Sequence, residues 1–148
     1  MTVSYNLFSK AFLNKVTEYT FIKMTDSDRL DVIDGYMKRA CAQFANMCRH
    51  DIVNGDDNER AFELDIEENE LEELIDIISE GMVVQWMKPY MYKQENLENM
   101  LNTSDFSAYS PAELLYRITN AYNMCKKDFT ALMREYSYNH GDLSDLHL

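Results

Sequence analysis

The sequence predicts an all-α single domain of four to five helices, with a long C-terminal helix and an extended C-terminal tail. Its 148 residues are enough for one domain with its own core. Hydrophobic residues make up 46%, which is typical of a folded chain and not of a disordered one. Only 4 glycines and 2 prolines interrupt it, which favours long helices over many short strands.

Residues 1–50 are expected to form the N-terminal helices. The first is predicted around Tyr5 to Tyr19, because apolar residues recur every three or four positions at Leu7, Phe8, Ala11, Phe12 and Val16. The second should begin at Thr25 and end near Arg49-His50, with a core stripe at Leu30, Ile33, Met37, Ala40, Phe44 and Met47. Gly35 interrupts that stripe, which indicates close packing of another element there.

Residues 51–66 are expected to be an acidic loop, since Asn54-Gly55-Asp56-Asp57-Asn58 is the strongest turn signal in the chain. Residues 67–109 should hold a central kinked helix and a connection. The helix stripe comprises Leu71, Leu74, Ile78, Met82, Gln85 and Trp86. Pro89 lacks a backbone donor and is expected to kink or end the helix near Lys88, before a further helical segment from Tyr90 to Leu101.

Residues 110–139 give the clearest helix signal. Ser110 suits the N-cap, Pro111 the first turn, and Glu113 the position three after the cap. Asn139-His140-Gly141 should close the helix, and the tail over 140–148 should be loose unless a partner orders it. Six consecutive steps of three or four residues form its stripe at Leu114, Ile118, Tyr122, Cys125, Phe129, Leu132 and Tyr136.

The formal net charge of −12 is concentrated in one segment. Residues 51–80 contain 13 acidic residues and a single base, Arg60, whereas the flanking parts are nearly neutral. A chain of this charge is repelled by phosphate backbones, so specific nucleic-acid binding is disfavoured. The sequence shows no export signal and no apolar run long enough to span a membrane, which predicts the cytoplasm or a particle assembled there.

The residues that carry chemistry do not form a recognisable site. The three histidines, His50, His140 and His147, follow no metal-ligand motif, and Cys41 with Cys48 lacks a second pair of ligands. No nucleophile motif or glycine-rich phosphate loop is present. The sequence therefore predicts a protein that is not an enzyme, with no catalytic residues, no cofactor and no metal.

Three segments carry a resemblance to a known family. They are Gly81 to Pro89, which contains Trp86-Met87-Lys88-Pro89, then Asn99 to Ser110, and Arg134 to Gly141. Together they resemble the head–tail connector, or adaptor, proteins of tailed bacteriophages, over roughly two-thirds of the chain and best from residue 67 onwards. The order of parts is also similar: a helical N-terminal half, an acidic entry to a central helix, a connection, a long helix and a tail.

The resemblance implies a structural component of the phage neck, located in the virion and assembled in the host cytoplasm. The chain would form a dodecameric ring with copies of itself, bind the portal protein and the next neck or tail-completion protein, and let DNA pass without sequence-specific binding or any membrane. The implied portal-docking residues are Tyr136, Tyr138, Leu143, Leu146 and Leu148. The implied ring-interface or channel-wall residues are Asp56, Asp57, Glu68, Glu72, Glu73, Asp105, Phe106, Tyr109, Lys88, Arg117, Lys126 and Lys127.

A second interpretation stays open at this point. A small acidic regulatory or inhibitor protein that binds a basic partner, as DNA mimics do, would also be site-free and negatively charged. It would be a monomer or dimer with its acids in a duplex-spaced stripe. The concentration of acids in residues 51–80 suits this interpretation less well than a distributed pattern would.

Overall fold

A computed structural model describes residues 1–16, 24–92 and 111–140, and it confirms the mainly helical fold with a long C-terminal helix. Two short strands form a small sheet beside the helices. In chain order the elements are β1 (Thr2–Ser4), α1 (Tyr5–Lys15), α2 (Asp26–Phe44), β2 (Ala61–Glu63), α3 (Glu68–Tyr92) and α4 (Pro111–His140).

The two-stranded sheet corrects the loop expected over 51–66. β1 and β2 pair antiparallel, with Val3 opposite Phe62. Both side chains are buried in the core, and Leu64 just after β2 is buried as well. Burial of these apolar side chains therefore stabilises a strand near the end of residues 51–66, and this strand packs on one side of the core.

Arg60, just before β2, has an unusual backbone conformation and several side-chain hydrogen bonds. It is the one non-glycine residue with a positive φ, 51°, among those the structure describes. Its Nε and Nη2 donate to the two carboxylate oxygens of Asp34 at 2.7 Å each, and Nη1 donates to Oδ1 of Asn6 at 2.7 Å. Its carbonyl accepts a hydrogen bond from the backbone N–H of Tyr5 at 2.8 Å. Arg60 thus joins α1, α2 and the turn before β2.

Helix α1 begins where predicted but is shorter. Ser4 caps it by accepting from the backbone N–H of Asn6, and the chain is extended again at Val16. Phe8 and Phe12 are completely buried, as the apolar spacing predicts. Leu7 is exposed, so its assignment to the core stripe is wrong: it lies one residue, about 100°, from Phe8 around the helix.

Helix α2 is capped by Thr25, whose hydroxyl accepts from the backbone N–H of Asp28 at 3.2 Å. The helix ends at Phe44 and not near Arg49-His50, so Met47 lies beyond it and is exposed. The buried face of α2 consists of Ile33, Met37, Ala40, Cys41 and Phe44.

Close packing occurs at Gly81 of α3, and the expectation of it at Gly35 is wrong. A β-carbon at Gly35 would meet only the flexible end of Arg39, at 3.4 Å. A β-carbon at Gly81 would lie 2.7 Å from the ring of Phe129 and 2.8 Å from the β-carbon of Ala40. Helices α2, α3 and α4 therefore meet at Gly81, where no side chain fits.

Helix α3 is the centre of the domain and packs against α1, α2 and α4. Leu74, Ile77, Ile78 and Met82 on it are almost completely buried. Of the kink or end predicted near Lys88, the end is wrong, because the helix runs through Pro89 to Tyr92. Pro89 stands close to the C-terminal end, where few residues of the helix follow it. The predicted segment up to Leu101 and the connection after it lie outside the described residues.

Candidate assembly surfaces

Helix α4 presents large hydrophobic side chains to solvent on the side opposite its buried face. Tyr116, Met124 and Tyr138 are 68%, 65% and 72% exposed. At about 100° per residue they fall within about 80° of one another around the helix, and they extend over about 33 Å of its length. Single exposed hydrophobic residues are ordinary, but several on one face of one helix are a feature of interaction surfaces.

The same side of α4 carries exposed positive charge. Lys127 and Arg134 lie within the same 80° sector and are exposed. Neither has an ion-pair partner among the residues that the structure describes. We name this surface the outer face of α4 and define it by Tyr116, Met124, Lys127, Arg134 and Tyr138. A chain with a net charge of −12 thus has a locally basic, partly aromatic helix face.

Exposed acids are concentrated where α3 begins. Asp65 and Glu67 precede the helix, Glu68 and Glu72 lie on its first turns, and all four are exposed. Negative charge at a helix N-terminus is stabilised by the helix dipole, which lets acids gather there at low cost. We name this surface the acidic edge and define it by these four residues.

Glu70 lies between those acids in sequence, yet its side chain is only 5% exposed. The guanidinium of Arg49 donates to both of its carboxylate oxygens, at 2.9 Å to Oε1. The Nε2 atom of His50 lies 3.0 Å from Oε1, and the hydroxyl of Tyr136 donates to Oε1 at 2.8 Å. The hydrogen bond from Arg49 lowers the pKa of Glu70 to about 2, against the opposing effect of burial. Glu70 therefore stays ionised inside the domain.

The last turns of α4 are fixed to the first turns of α3 by this cluster and its neighbours. His140 places Nε2 2.8 Å from Oε2 of Glu73, and its ring lies 4.6 Å from that of Tyr136. Burial raises the pKa of Tyr136, and the hydrogen bond to Glu70 raises it further. Burial also raises the pKa of the neighbouring Cys48, so this thiol is kept protonated. The cluster joins helices and contains no activated nucleophile.

The expected portal-docking residues do not all reach the surface. Tyr136 is completely buried, with its ring edge-on to Phe44 at 5.0 Å, so the docking role expected for it is wrong. The hydrogen bond to Glu70 and the core position on the helix explain this burial. Tyr138 is exposed, as docking would require. The remaining three, Leu143, Leu146 and Leu148, lie outside the described residues.

The acidic candidates for the ring interface or channel wall divide into two groups. Glu68 and Glu72 belong to the acidic edge. Asp57 forms an ion pair with Lys38 at 3.0 Å and accepts from the Tyr5 hydroxyl at 3.0 Å, and Glu73 is bound to His140. Asp56 accepts from the backbone N–H groups of Asn58 and Glu59, so it shapes its own turn. The carboxylates of Asp56, Asp57 and Glu73 therefore stabilise the fold through these bonds.

The basic candidates are all exposed. Lys88 lies near the end of α3, Lys126 and Lys127 lie on α4, and Arg117 approaches Glu113 one helical turn earlier at 3.5 Å. Of the remaining candidates, Asp105, Phe106 and Tyr109 lie outside the described residues. The structure thus brings the basic candidates of α4 to the outside of the molecule, whereas the acidic ones lie mainly at the start of α3.

A shallow groove of about 250 Å³ opens beside the sheet. It is lined by Tyr5, Lys38, Ile52, Val53, Asp57 and Phe62. The ion pair between Lys38 and Asp57 satisfies the charges on its polar side. Gly55 borders this region, where a side chain would overlap the Tyr5 hydroxyl and the Phe62 ring.

Comparisons of the chain with protein-family models, with curated proteins and with solved structures found no match. Within residues 1–16, 24–92 and 111–140, no helix is both long and apolar enough to cross a membrane. Across the same ranges, no three His, Cys, Asp or Glu side chains are grouped so that they could hold a metal ion. The outer face of α4 and the acidic edge are the features on which a functional proposal can be built.

Sequence reasoning missed the Glu70 cluster, although the sequence contains a signal for it. Glu70 stands four residues before Leu74 and so lies on the buried side of α3, one turn nearer its start. A carboxylate on a core stripe requires buried donors. Arg49 and His50, near which the second helix was expected to end, supply two donors to Glu70, and the side chain of Arg49 reaches it from the surface.

Proposed function

We propose that this chain is a structural subunit of the neck of a tailed bacteriophage, where it joins the portal to the tail and extends the DNA channel. The sequence resemblance supports the proposal, and a helical domain is consistent with it. The observation that carries it is the outer face of α4, with three large hydrophobic side chains exposed on the longest described helix. The protein would work in the virion neck after assembly in the host cytoplasm.

The chemistry of the two surfaces suits this role. Tyr, Met and Arg are enriched in the buried centres of protein interfaces, and the outer face of α4 offers all three. The net charge of −12 repels the phosphate backbone, so DNA would pass without binding. The chain would bind copies of itself in a dodecameric ring, the portal, and the next neck or tail-completion protein.

Light scattering of the purified full chain, alone and mixed with the portal protein of the same phage, tests the proposal. We expect a particle many times the 17.4 kDa chain mass, alone or on the portal. A compact monomer that never joins the portal would refute the proposal.

A truncation tests the role of the C-terminal segment. Removal of residues 141–148 leaves Tyr136 and His140 in place, so the hydrogen bonds from α4 to Glu70 and Glu73 of α3 are retained. We expect an unchanged circular dichroism spectrum and unfolding midpoint, together with loss of portal attachment. Normal attachment of this truncated chain would show that docking uses other residues.

The acidic edge favours a second candidate function, a small regulatory or inhibitor protein that binds a basic partner as a DNA mimic does. Its four acids are exposed and have no ion-pair partner in the described parts of the chain. This function predicts a monomer or dimer that binds a basic protein. The double substitution Glu68→Gln and Glu72→Gln should then weaken that binding. It should not change the mass of the monomer or dimer measured without the partner.

A further inference from the structure

The acidic edge and the outer face of α4 point in different directions. Glu70 faces α4, since it is bound to Tyr136. Glu68 and Glu72 are each two residues from Glu70, which places them about 160° from it around α3. The outer face of α4 lies opposite the buried residues Ile118, Phe129 and Tyr136 and so faces away from α3. The two surfaces therefore cannot meet within one chain.

The charges of these surfaces are nonetheless complementary. Lys127 and Arg134 are about 10 Å apart along α4, and Glu68 and Glu72 are about 6 Å apart along α3. Long flexible side chains can match these spacings, and a guanidinium can bind a carboxylate through two parallel hydrogen bonds. Tyr116, Met124 and Tyr138 flank the bases and supply apolar area for a contact.

We propose that the outer face of α4 in one copy binds the acidic edge of a second copy of this chain. This inference rests on the proposed function, in which the chain assembles with itself. Such a contact is heterologous, because each copy uses two different surfaces. A bound pair keeps one free surface of each kind, the outer face of α4 on one copy and the acidic edge on the other, so assembly proceeds to a closed ring or an open filament and not to a two-fold dimer.

A second copy is a better occupant than a nucleic acid. The basic residues of the outer face could contact phosphates, but the net charge of −12 repels a polyanion at longer range. A second copy has the same net charge, but solvent ions screen its distant charges beyond about 10 Å, whereas the acidic edge would lie directly against the bases. The acidic edge is also present at the same concentration as the outer face. Association should weaken as salt rises, because the bases and acids of both surfaces are solvent-exposed before contact.

Charge-swapped variants of the full chain test the inference. Lys127→Glu with Arg134→Glu makes the outer face of α4 acidic, and Glu68→Lys with Glu72→Lys makes the acidic edge basic. We expect each double variant by itself to need an at least about tenfold higher protein concentration before half of its chains are assembled. Sedimentation or light scattering measures this concentration. Combining all four substitutions restores opposite charges on the two surfaces and should restore assembly, as should mixing the two double variants.

A matched control changes the same number of charges elsewhere. Lys10→Glu with Arg39→Glu alters two exposed bases on α1 and α2, so the net charge changes as in the α4 variant. This control should assemble like the unmodified chain, and circular dichroism should show that all variants fold. If the unmodified chain assembles but neither double variant loses assembly, or the fourfold variant fails to regain it, the inference is overturned and the proposed function stands. A chain that is monomeric alone and with the portal overturns both.

Discussion

The hydroxyl of Tyr136 donates a hydrogen bond of 2.8 Å to the carboxylate of Glu70, a residue 66 positions earlier in the chain. This contact joins the end of α4 to the start of α3, beneath an exposed cluster of acids. Both partners are nearly inaccessible to water. Loss of the Tyr136 hydroxyl removes one of the three partners of Oε1 of Glu70, beside Arg49 and His50. A hydrogen bond to a charged group contributes about 1.5–3 kcal/mol, more than an average hydrogen bond.

We therefore expect Tyr136→Phe to lower the free energy of unfolding by about 1–3 kcal/mol. The substitution keeps the ring against Phe44 and removes the hydroxyl, which donates to Glu70 and accepts a weak hydrogen bond from the Cys48 thiol. Urea unfolding followed by circular dichroism measures the effect. Tyr138→Phe is the matched control, since its exposed hydroxyl should leave stability within about 0.5 kcal/mol. Equal stability of the two variants would show that the hydroxyl of Tyr136 does not stabilise the fold.

Acid should weaken the domain through Glu70. Its pKa is about 2 in the folded chain, below the usual value of 4.5. The unfolded chain therefore binds a proton first as the pH falls, and the stabilisation, fully present above about pH 5, is lost progressively towards pH 2. It amounts to about 3 kcal/mol. Glu70→Gln, compared with the unmodified chain in unfolding experiments over this range, should show a shallower loss. Parallel pH profiles would contradict this assignment.

Two glycine substitutions should have opposite signs. Gly81→Ala places a methyl group against Phe129 and Ala40, and overpacking of this kind costs about 1–3 kcal/mol. Gly35→Ala meets only the movable end of Arg39, so the higher helix propensity of alanine should stabilise the domain by up to about 1 kcal/mol. Thermal unfolding of the two variants measures both effects. Stabilisation by Gly81→Ala would mean that the three helices are not in close contact there.

Arg60 allows backbone strain to be separated from side-chain bonding. Both Arg60→Ala and Arg60→Gly remove the ion pair with Asp34 and should destabilise the domain. Glycine accepts the positive φ of 51° without a steric penalty, so Arg60→Gly should be more stable than Arg60→Ala by about 1 kcal/mol. Denaturant unfolding of the two variants gives this difference. The reverse order would indicate that the turn rearranges when the guanidinium is lost.

Local signals in the sequence predicted the long helices and the cap at Thr25. Thr25 carries its own hydrogen-bonding preference, Pro111 has a φ that suits the first turn of a helix, and α4 repeats its apolar spacing over many turns. The strands were missed for a physical reason. Each has three residues, and each pairs with a segment about 60 positions away, so no local pattern records the pairing. Helix α3 continues through Pro89, which stands close to its C-terminal end.

The candidate surfaces were predicted only in part. The family resemblance implied Glu68, Glu72, Lys127 and Tyr138 as candidates, and all are exposed. Charge and residue type could not distinguish the buried Glu70 from the exposed acids beside it, because burial depends on which side of the helix faces α4. For Tyr136, the apolar spacing placed it correctly in the core, whereas the family resemblance implied docking. Periodicity was the better guide because a buried stripe continues to the last turn.

The central place of α3 has a consequence for synthesis of the chain. The side of α3 that packs on α4 can be covered only after residues 118–136 have been translated. A nascent chain that ends at α3 therefore exposes apolar surface on that side. Glu70 also lacks the Tyr136 hydroxyl until then. Folding should therefore reach completion only after α4 has left the ribosome, and ribosome-associated chaperones would have their main opportunity to bind while α4 is being made.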